Sequence, residues 1–250
     1  MDKNRNHTEM RSASDAEGPV EKRQQQLMTL LAGEGADLVG VGDVSGLLPA
    51  SLRDLPIAVS LVVHLSHRII DEIDEIHGPT QTYFHHYRTV NAFLDSLALK
   101  GMLQVQRWGY DAVAIPASQS LHEKEPLFRG RFQHRLAATR GGLGWIGKNS
   151  CLITPEFGPR VRLVTVLTNM PLAVSQPVEE SLCGECRRCA AACPAGALTG
   201  RVNWTPGLER EALVDPSLCS HHMKKAYQQI GRGAVCGICF RVCPWGMKQE

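Results

Sequence analysis

Three features are missing from this sequence of 250 residues, and each absence narrows what the chain can be. It has no long apolar run: Leu55 to Leu65, the longest, is broken by Ser60 and His64 and falls far short of a bilayer-spanning helix. It has no charge excess, since 27 Lys+Arg against 25 Asp+Glu leave +2, and nothing in that balance points to a phosphate backbone or an anionic membrane as the main partner. Its polar N-terminus has neither the apolar core of a secretory signal nor a twin-arginine pair, which predicts a cytoplasmic protein with no membrane partner. What remains is 43% hydrophobic and 21% charged, the make-up of a soluble globule of one large domain or two modest ones.

Composition divides the chain into three stretches. Residues 1–20 carry too little apolar surface to offset the entropy of ordering and are predicted to be a disordered tail. Residues 21–175 are predicted to form an α+β domain for cofactor and substrate, followed at a Pro-, Ser- and Glu-rich stretch by a cysteine region at 176–250. In the first domain a helix is expected over Glu21–Ala32, a strand over Ala36–Gly42, and a buried strand over Ile57–Val63. Tyr83, Tyr87, Val90, Leu94 and Leu97 share one face of a further helix that Lys100-Gly101 is expected to end or interrupt. Strands are expected at Ala112–Ile115 and Leu163–Leu167, with a helical stretch over Phe132–Thr139. This alternation is too irregular for a doubly wound sheet.

Eight of nine cysteines fall in the last 68 residues. In a chain that is neither short nor exported, such a cluster predicts reduced, metal-binding thiols rather than disulfides. Cys183-x2-Cys186-x2-Cys189-x3-Cys193-Pro194 reproduces the bacterial ferredoxin run, in which three cysteines wrap one cubane and the fourth points to another. Cys236-x2-Cys239-x3-Cys243-Pro244 is a second run lacking its first cysteine, and Cys219 is the candidate to supply it. Exchange of the two Cys-Pro residues assigns Cys183, Cys186, Cys189 and Cys243 to one [4Fe–4S] cluster, and Cys193, Cys219, Cys236 and Cys239 to the other. The alternatives are plain buried thiols or zinc, but a zinc ribbon wants its C-x2-C pairs 15 to 20 residues apart, and 49 residues separate Cys186 from Cys236. Two oxidised cubanes would add about −4, which Arg187, Arg188, Lys224, Lys225, Arg232 and Arg241 could partly offset unless they are simply solvated.

The remaining signals are weaker. Cys151, beside Leu152-Ile153, reads as a small core residue. His85-His86 and His221-His222 are adjacent pairs whose members point to different faces, a poor chelating arrangement. Gly142-x-Gly144-x-x-Gly147-Lys148 matches the dinucleotide fingerprint and most of a P-loop, but a helix precedes it, prolines follow, and Asn149 has no hydroxyl for Mg²⁺. What survives is either a tight structural turn or a small-residue loop suited to close approach of a large planar or phosphate-bearing ligand.

GLGWIGKN at 142–149, PEFG at 155–158, LTNMPL at 167–172, CGECRRCAAACPAGAL at 183–198 and VCGICFRVCPW at 235–245 together resemble the epoxyqueuosine reductase family, iron–sulfur relatives of the cobalamin-dependent reductive dehalogenases. The resemblance covers residues 130–246. It implies a nitroreductase-like, cobalamin-binding α+β domain followed by a double-cubane ferredoxin-like module that passes single electrons to a base-off corrin. It also implies that Gly142, Gly144, Trp145, Ile146, Gly147, Lys148 and Asn149 lie against that cofactor, and that the cluster of Cys193, Cys219, Cys236 and Cys239 is the nearer one. Two departures stand out. The family's V-D-T-A-P segment, with its proton-donating Asp, aligns with Leu127–Arg131, which has no carboxylate, leaving Tyr110, His134 and Arg140 as candidate acids. The tRNA-reading repeats of those enzymes have no counterpart before Glu250, which points to a short paralogue and away from tRNA as substrate. The expectation is a corrinoid-dependent reductase of an unnamed small-molecule or protein-bound substrate, fed by a donor such as ferredoxin or flavodoxin. The alternatives are a two-cluster carrier serving a partner protein, and a flavin-dependent reductase.

Overall fold

The computed structural model describes residues 20–119, 128–231 and 233–247. Residues 1–19 of the predicted tail and Arg232 lie outside the described residues, and Val20, the last residue of that tail, opens the first helix instead. Four antiparallel strands form the central sheet in the order β1-β2-β6-β3, with β1 Leu38–Asp43, β2 Ile57–His64, β3 Ala112–Ile115 and β6 Val161–Thr168. Alternation along β2 explains why it reads as an unbroken apolar run. Val59, Leu61 and Val63 face one core with α1 Val20–Gly33 and α3 Gln81–Arg107, while Ala58 and Val62 face the other side, where α4 His134–Arg140 packs. The fold is α+β, as expected, with both sheet faces covered.

The helix α3 runs through Lys100-Gly101 without a break to Arg107, contrary to expectation. Gly101 is buried, and a Cβ there would lie 3.3 Å from Leu31, so the glycine lets α1 and α3 approach each other. At the N-terminus of α3, Thr80 accepts a hydrogen bond from Tyr83 N, a cap that specifies the start. The expected helix over Phe132–Thr139 begins later, at His134.

After α4 come a two-stranded hairpin, β4 Trp145–Ile146 with β5 Leu152–Ile153, then β6 and the cysteine region. Within that region α7 Ile238–Arg241 contacts α5 Arg188–Ala191, and α2 His67–Asp71 of the first domain packs against α7. Packing crosses the composition boundary near residue 176: Tyr227, Val235, Ile238 and Val242 belong to the same core as α1, α3 and β2. Tyr227 lies in the C-terminal turn of α6 Pro216–Tyr227, whose start Asp215 caps by accepting from Ser217 N and Leu218 N. Arg160, 1% exposed, pins the seam, with its guanidinium 2.9 Å from Asp71 Oδ1 and 3.0 Å from His67 Nδ1, and its stem against Gly246.

Candidate active site: two thiol sets and an arginine-lined cavity

Short turns of the cysteine region bring Cys183, Cys186, Cys189 and Cys243 around one small cavity, which Lys148, Asn149, Ile153 and Trp245 also border. Burial first, and then Cys183 and Cys186, push the Cys189 thiol up to about 11; burial first, and then Cys183, Cys189 and Cys186, push that of Cys243 up to about 12. Cys193, Cys219, Cys236 and Cys239 form the second set, knit by the same mutual effect: Cys219, up to about 12, feels Cys236 and Cys193, and Cys239 feels Cys236 and Cys219. Among the described residues no three His, Cys, Asp or Glu side chains gather tightly enough to share a single metal ion. The adjacent histidine pairs do not chelate: His86 accepts from Ser66 N, and His222 meets Tyr227 Oη.

Of the glycine-rich segment, Lys148 and Asn149 border the cavity of the first thiol set, and Trp145 and Ile146 pack in one apolar cluster with Cys243. Lys148 is 3% exposed, and its Nζ donates to Gly184 O at 2.6 Å, inside the turn between Cys183 and Cys186. The glycines serve the hairpin instead. Gly144 has φ +149°, and a Cβ there would fall 2.0 Å from Ile153 O; Gly142, at φ +74°, lies against Gln176 O. Trp145 is buried edge-on to Trp245, ring centroids 4.7 Å apart, which fastens the hairpin to the residues just after Cys243.

The second thiol set adjoins a larger cavity of about 360 Å³. Its wall includes Ile115, Phe132, His134, Arg135, Ser150, Cys151, Arg162 and Phe240. None of Gly142, Gly144, Trp145, Ile146, Gly147, Lys148 and Asn149 is part of it; the residues that follow them, Ser150, Cys151 and Leu152, are. Cys151 is no mere core filler: its Sγ donates to Asn149 O at 3.5 Å, its side chain faces the cavity, and its thiol lies against that of Cys239. That contact lowers the Cys151 thiol and raises that of Cys239. Ser150, just before it, holds a left-handed φ of 59°, and both its carbonyl and its Oγ accept from Arg135.

Of the three candidate acids, only His134 lines the cavity, and its chemistry is spent. Nε2 donates to Pro116 O at 2.9 Å, which leaves Nδ1 to accept from Thr165 Oγ1 at 2.8 Å, and burial lowers the imidazole to about 4. Arg140 lies at the C-terminus of α4, 3.9 Å from Glu179, and Tyr110 follows α3 at the other end of β3 from the cavity. The arginines of the wall were not anticipated, because no sequence pattern unites Arg129, Arg131, Arg135, Arg162 and Arg210.

Residues 182–246 match the 4Fe-4S double cluster binding domain. Curated relatives include the epoxyqueuosine reductase of Listeria monocytogenes, 33% identical over 131 residues (49% of this chain, 32% of the relative), and that of Bacillus anthracis, 40% identical over 88 residues (35% and 23%). The tetrachloroethene reductive dehalogenase of Sulfurospirillum multivorans is 33% identical over 130 residues, 48% of this chain and 25% of the relative. The chain thus spans about a quarter to a third of the length of these relatives. Among solved structures, a catabolic reductive dehalogenase superposes with TM-score 0.67 at 20% identity, over 89% of this chain and 31% of that one. An epoxyqueuosine reductase superposes with TM-score 0.56 at 21% identity, over 91% and 66%.

Proposed function

This chain is a relative of the epoxyqueuosine reductases and the reductive dehalogenases that carries a 4Fe-4S double cluster binding domain, and from that premise we propose that it is an iron–sulfur reductase whose reaction chamber is the 360 Å³ cavity. Cys183, Cys186, Cys189 and Cys243 hold one [4Fe–4S] cluster, and Cys193, Cys219, Cys236 and Cys239 the other. When bound, the clusters supply single low-potential electrons, and a corrinoid at the cavity supplies the metal-centred reductant for an organic substrate.

The donor sets suit such clusters. Thiols that burial and their neighbours keep protonated up to about 12 become thiolates only where cationic iron takes the proton's place. Four thiols ringing a space, rather than converging on a point, suit a body with iron at its corners. Lys148, a buried ammonium whose described partner is a neutral carbonyl, offsets the negative charge of the first set. Arg187, Arg188, Lys224 and Lys225 are exposed and add only screened charge, while Arg241 leans toward Asp71 at 3.8 Å.

The observation that carries the reading is the contact between Cys239 and Cys151, which joins the second thiol set to the cavity wall. Electrons enter at the first set, where Trp245, 38% exposed, and Met247 offer a docking surface to a donor such as ferredoxin or flavodoxin. They leave at Cys239. His134, with both nitrogens engaged, would be a neutral part of the wall that a bound corrinoid faces. Ser150, Cys151 and Leu152 take the cofactor-facing role, and Gly142–Asn149 shape the hairpin that presents them.

A second reading, a two-cluster carrier that hands electrons to a partner protein, draws on one observation: no carboxylate is among the described residues lining the cavity, so none of these residues offers a carboxyl as proton donor. Anaerobic reconstitution with iron and sulfide, then titration with cob(II)alamin under EPR, separates the two. About eight irons per chain and a base-off cobalt signal support the reductase. Eight irons with an unchanged cobalt signal support the carrier.

A further inference from the structure

The cavity is built for charge of one sign. Five arginines line it, and no aspartate or glutamate does among the described residues, in a chain whose charges otherwise nearly cancel. Carboxylates reach only the outside of this ring. Glu211 takes Arg210 Nε and Nη2, Glu209 lies 3.8 Å from Arg129 with its own side chain largely in solvent, and Asp95 accepts from Ala117 N.

The arginines fall into two groups. Arg135 and Arg162 are anchored, the first on Ser150, the second by Asn91 Oδ1 and Ala117 O with its guanidinium 4.2 Å over the Tyr87 ring. These two are the cations that act on Cys151, so their charge answers that of the cluster side. Arg129 and Arg131 lie on another stretch, Phe128–Phe132. Arg131 is exposed and has no ion pair or hydrogen bond among the described residues, and Arg129 has a loose contact with Glu209 and a weak pull on Glu211. Cations gathered in a concave site repel one another and raise the local concentration of anions. A guanidinium presents five N–H donors in a planar fork that fits a carboxylate or phosphate in two parallel bonds.

Building on the reading of this cavity as the reaction chamber, we propose that its substrate is a small organic anion whose carboxylate or phosphate is held by Arg131 and Arg129, while its apolar part lies against Phe132, Leu163 and Phe240 toward Cys151. The volume, about 360 Å³, is at the low end for organic ligands and sets the size class.

The test is calorimetric titration of the chain carrying both clusters, without corrinoid, with phenylacetate, phenyl phosphate and the neutral phenylacetamide. Either anion is expected to bind at least tenfold tighter than the amide. The double substitution Arg129→Gln, Arg131→Gln is expected to weaken that anion by roughly ten- to a hundredfold, the worth of one or two charge-assisted bonds, and to leave the amide unchanged. Preference between phenylacetate and phenyl phosphate identifies the anionic group. Equal binding of anion and amide, or an unchanged anion affinity in the double variant, overturns the proposal, as does inorganic phosphate binding as tightly as phenyl phosphate. Displacement of the anion by cob(II)alamin but not by cobinamide, which lacks the phosphodiester, assigns the arginines to the cofactor's tail and also overturns it. Anion binding in a protein whose cobalt signal never shifts leaves this inference standing and removes the corrinoid alone.

Discussion

His134 makes stability depend on pH in a way that can be worked from its surroundings. Burial lowers its imidazole from the ordinary 6.5 to about 4; Arg162 and Arg135 push in the same direction, and the bond to Pro116 O and the charge of Asp95 oppose it. Between those two values the unfolded chain binds a proton that the folded chain does not, so stability falls as pH falls from 6.5 to about 4, and nothing more is lost below that. From pH 7.5 to pH 5 this single group removes about 2 kcal/mol. With a urea dependence of about 3 kcal/mol per molar for a chain of this size, the unfolding midpoint drops by about 0.7 M. The assay is anaerobic urea unfolding of cluster-loaded protein at both pH values, for the native chain and for His134→Gln. Acid effects on the clusters are common to both chains and cancel in the difference. Native protein should lose about 0.7 M more than the variant; equal losses would refute a buried, neutral His134.

The two Cys-Pro residues give a second prediction: Cys243→Ser should abolish the same EPR signal as Cys183→Ser, and Cys193→Ser the same as Cys239→Ser, each leaving about four irons, and Cys193→Ser pairing with Cys183→Ser would disprove the exchange. At the seam, Asp71→Asn strands the buried Arg160 guanidinium and should cost about 3 kcal/mol. Arg160→Met leaves a half-exposed carboxylate that still has Arg241 at 3.8 Å and should cost about 1 kcal/mol; thermal unfolding in the reverse order would contradict the assigned burial. Gly144→Ala drives a Cβ into Ile153 O and should destabilise by at least about 3 kcal/mol, far more than Ala at exposed Gly46, where nothing lies within 4 Å; similar melting shifts for the two would argue against the tight hairpin.

Much of the architecture was legible along the chain because its causes are local. The apolar spacing from Tyr83 to Leu97 specified the long helix, and its failure to end at Gly101 reflects packing with Leu31, a contact from another helix. The strand Ala112–Ile115 emerged with the expected bounds, and β2 and β6 came close, as β-branched runs covered on both faces should. Spacing alone also suggested a grouping of the eight cysteines, since two-residue gaps within tight turns bring thiols together, and the turns do set Cys183, Cys186, Cys189 and Cys243 around one cavity.

The cavity is different in kind. Ile115, Arg135, Cys151, Arg162 and Phe240 come from a strand end, a helix, a hairpin, a second strand and the last cysteine turn, and nothing in the spacing of such distant residues records that they meet. Cys151 looked like core filler because its neighbours are apolar; only the folded chain brings its thiol against Cys239, 88 residues further on. His134 looked like an acid because it is a histidine, and tertiary burial between Pro116 and Thr165 made it a neutral brace. The sequence by itself determined the cysteine turns of the double-cluster domain, because ligand turns are short-range geometry. Tertiary structure alone decided what those turns face, because a cavity wall and its charge are sums over residues that only folding brings together.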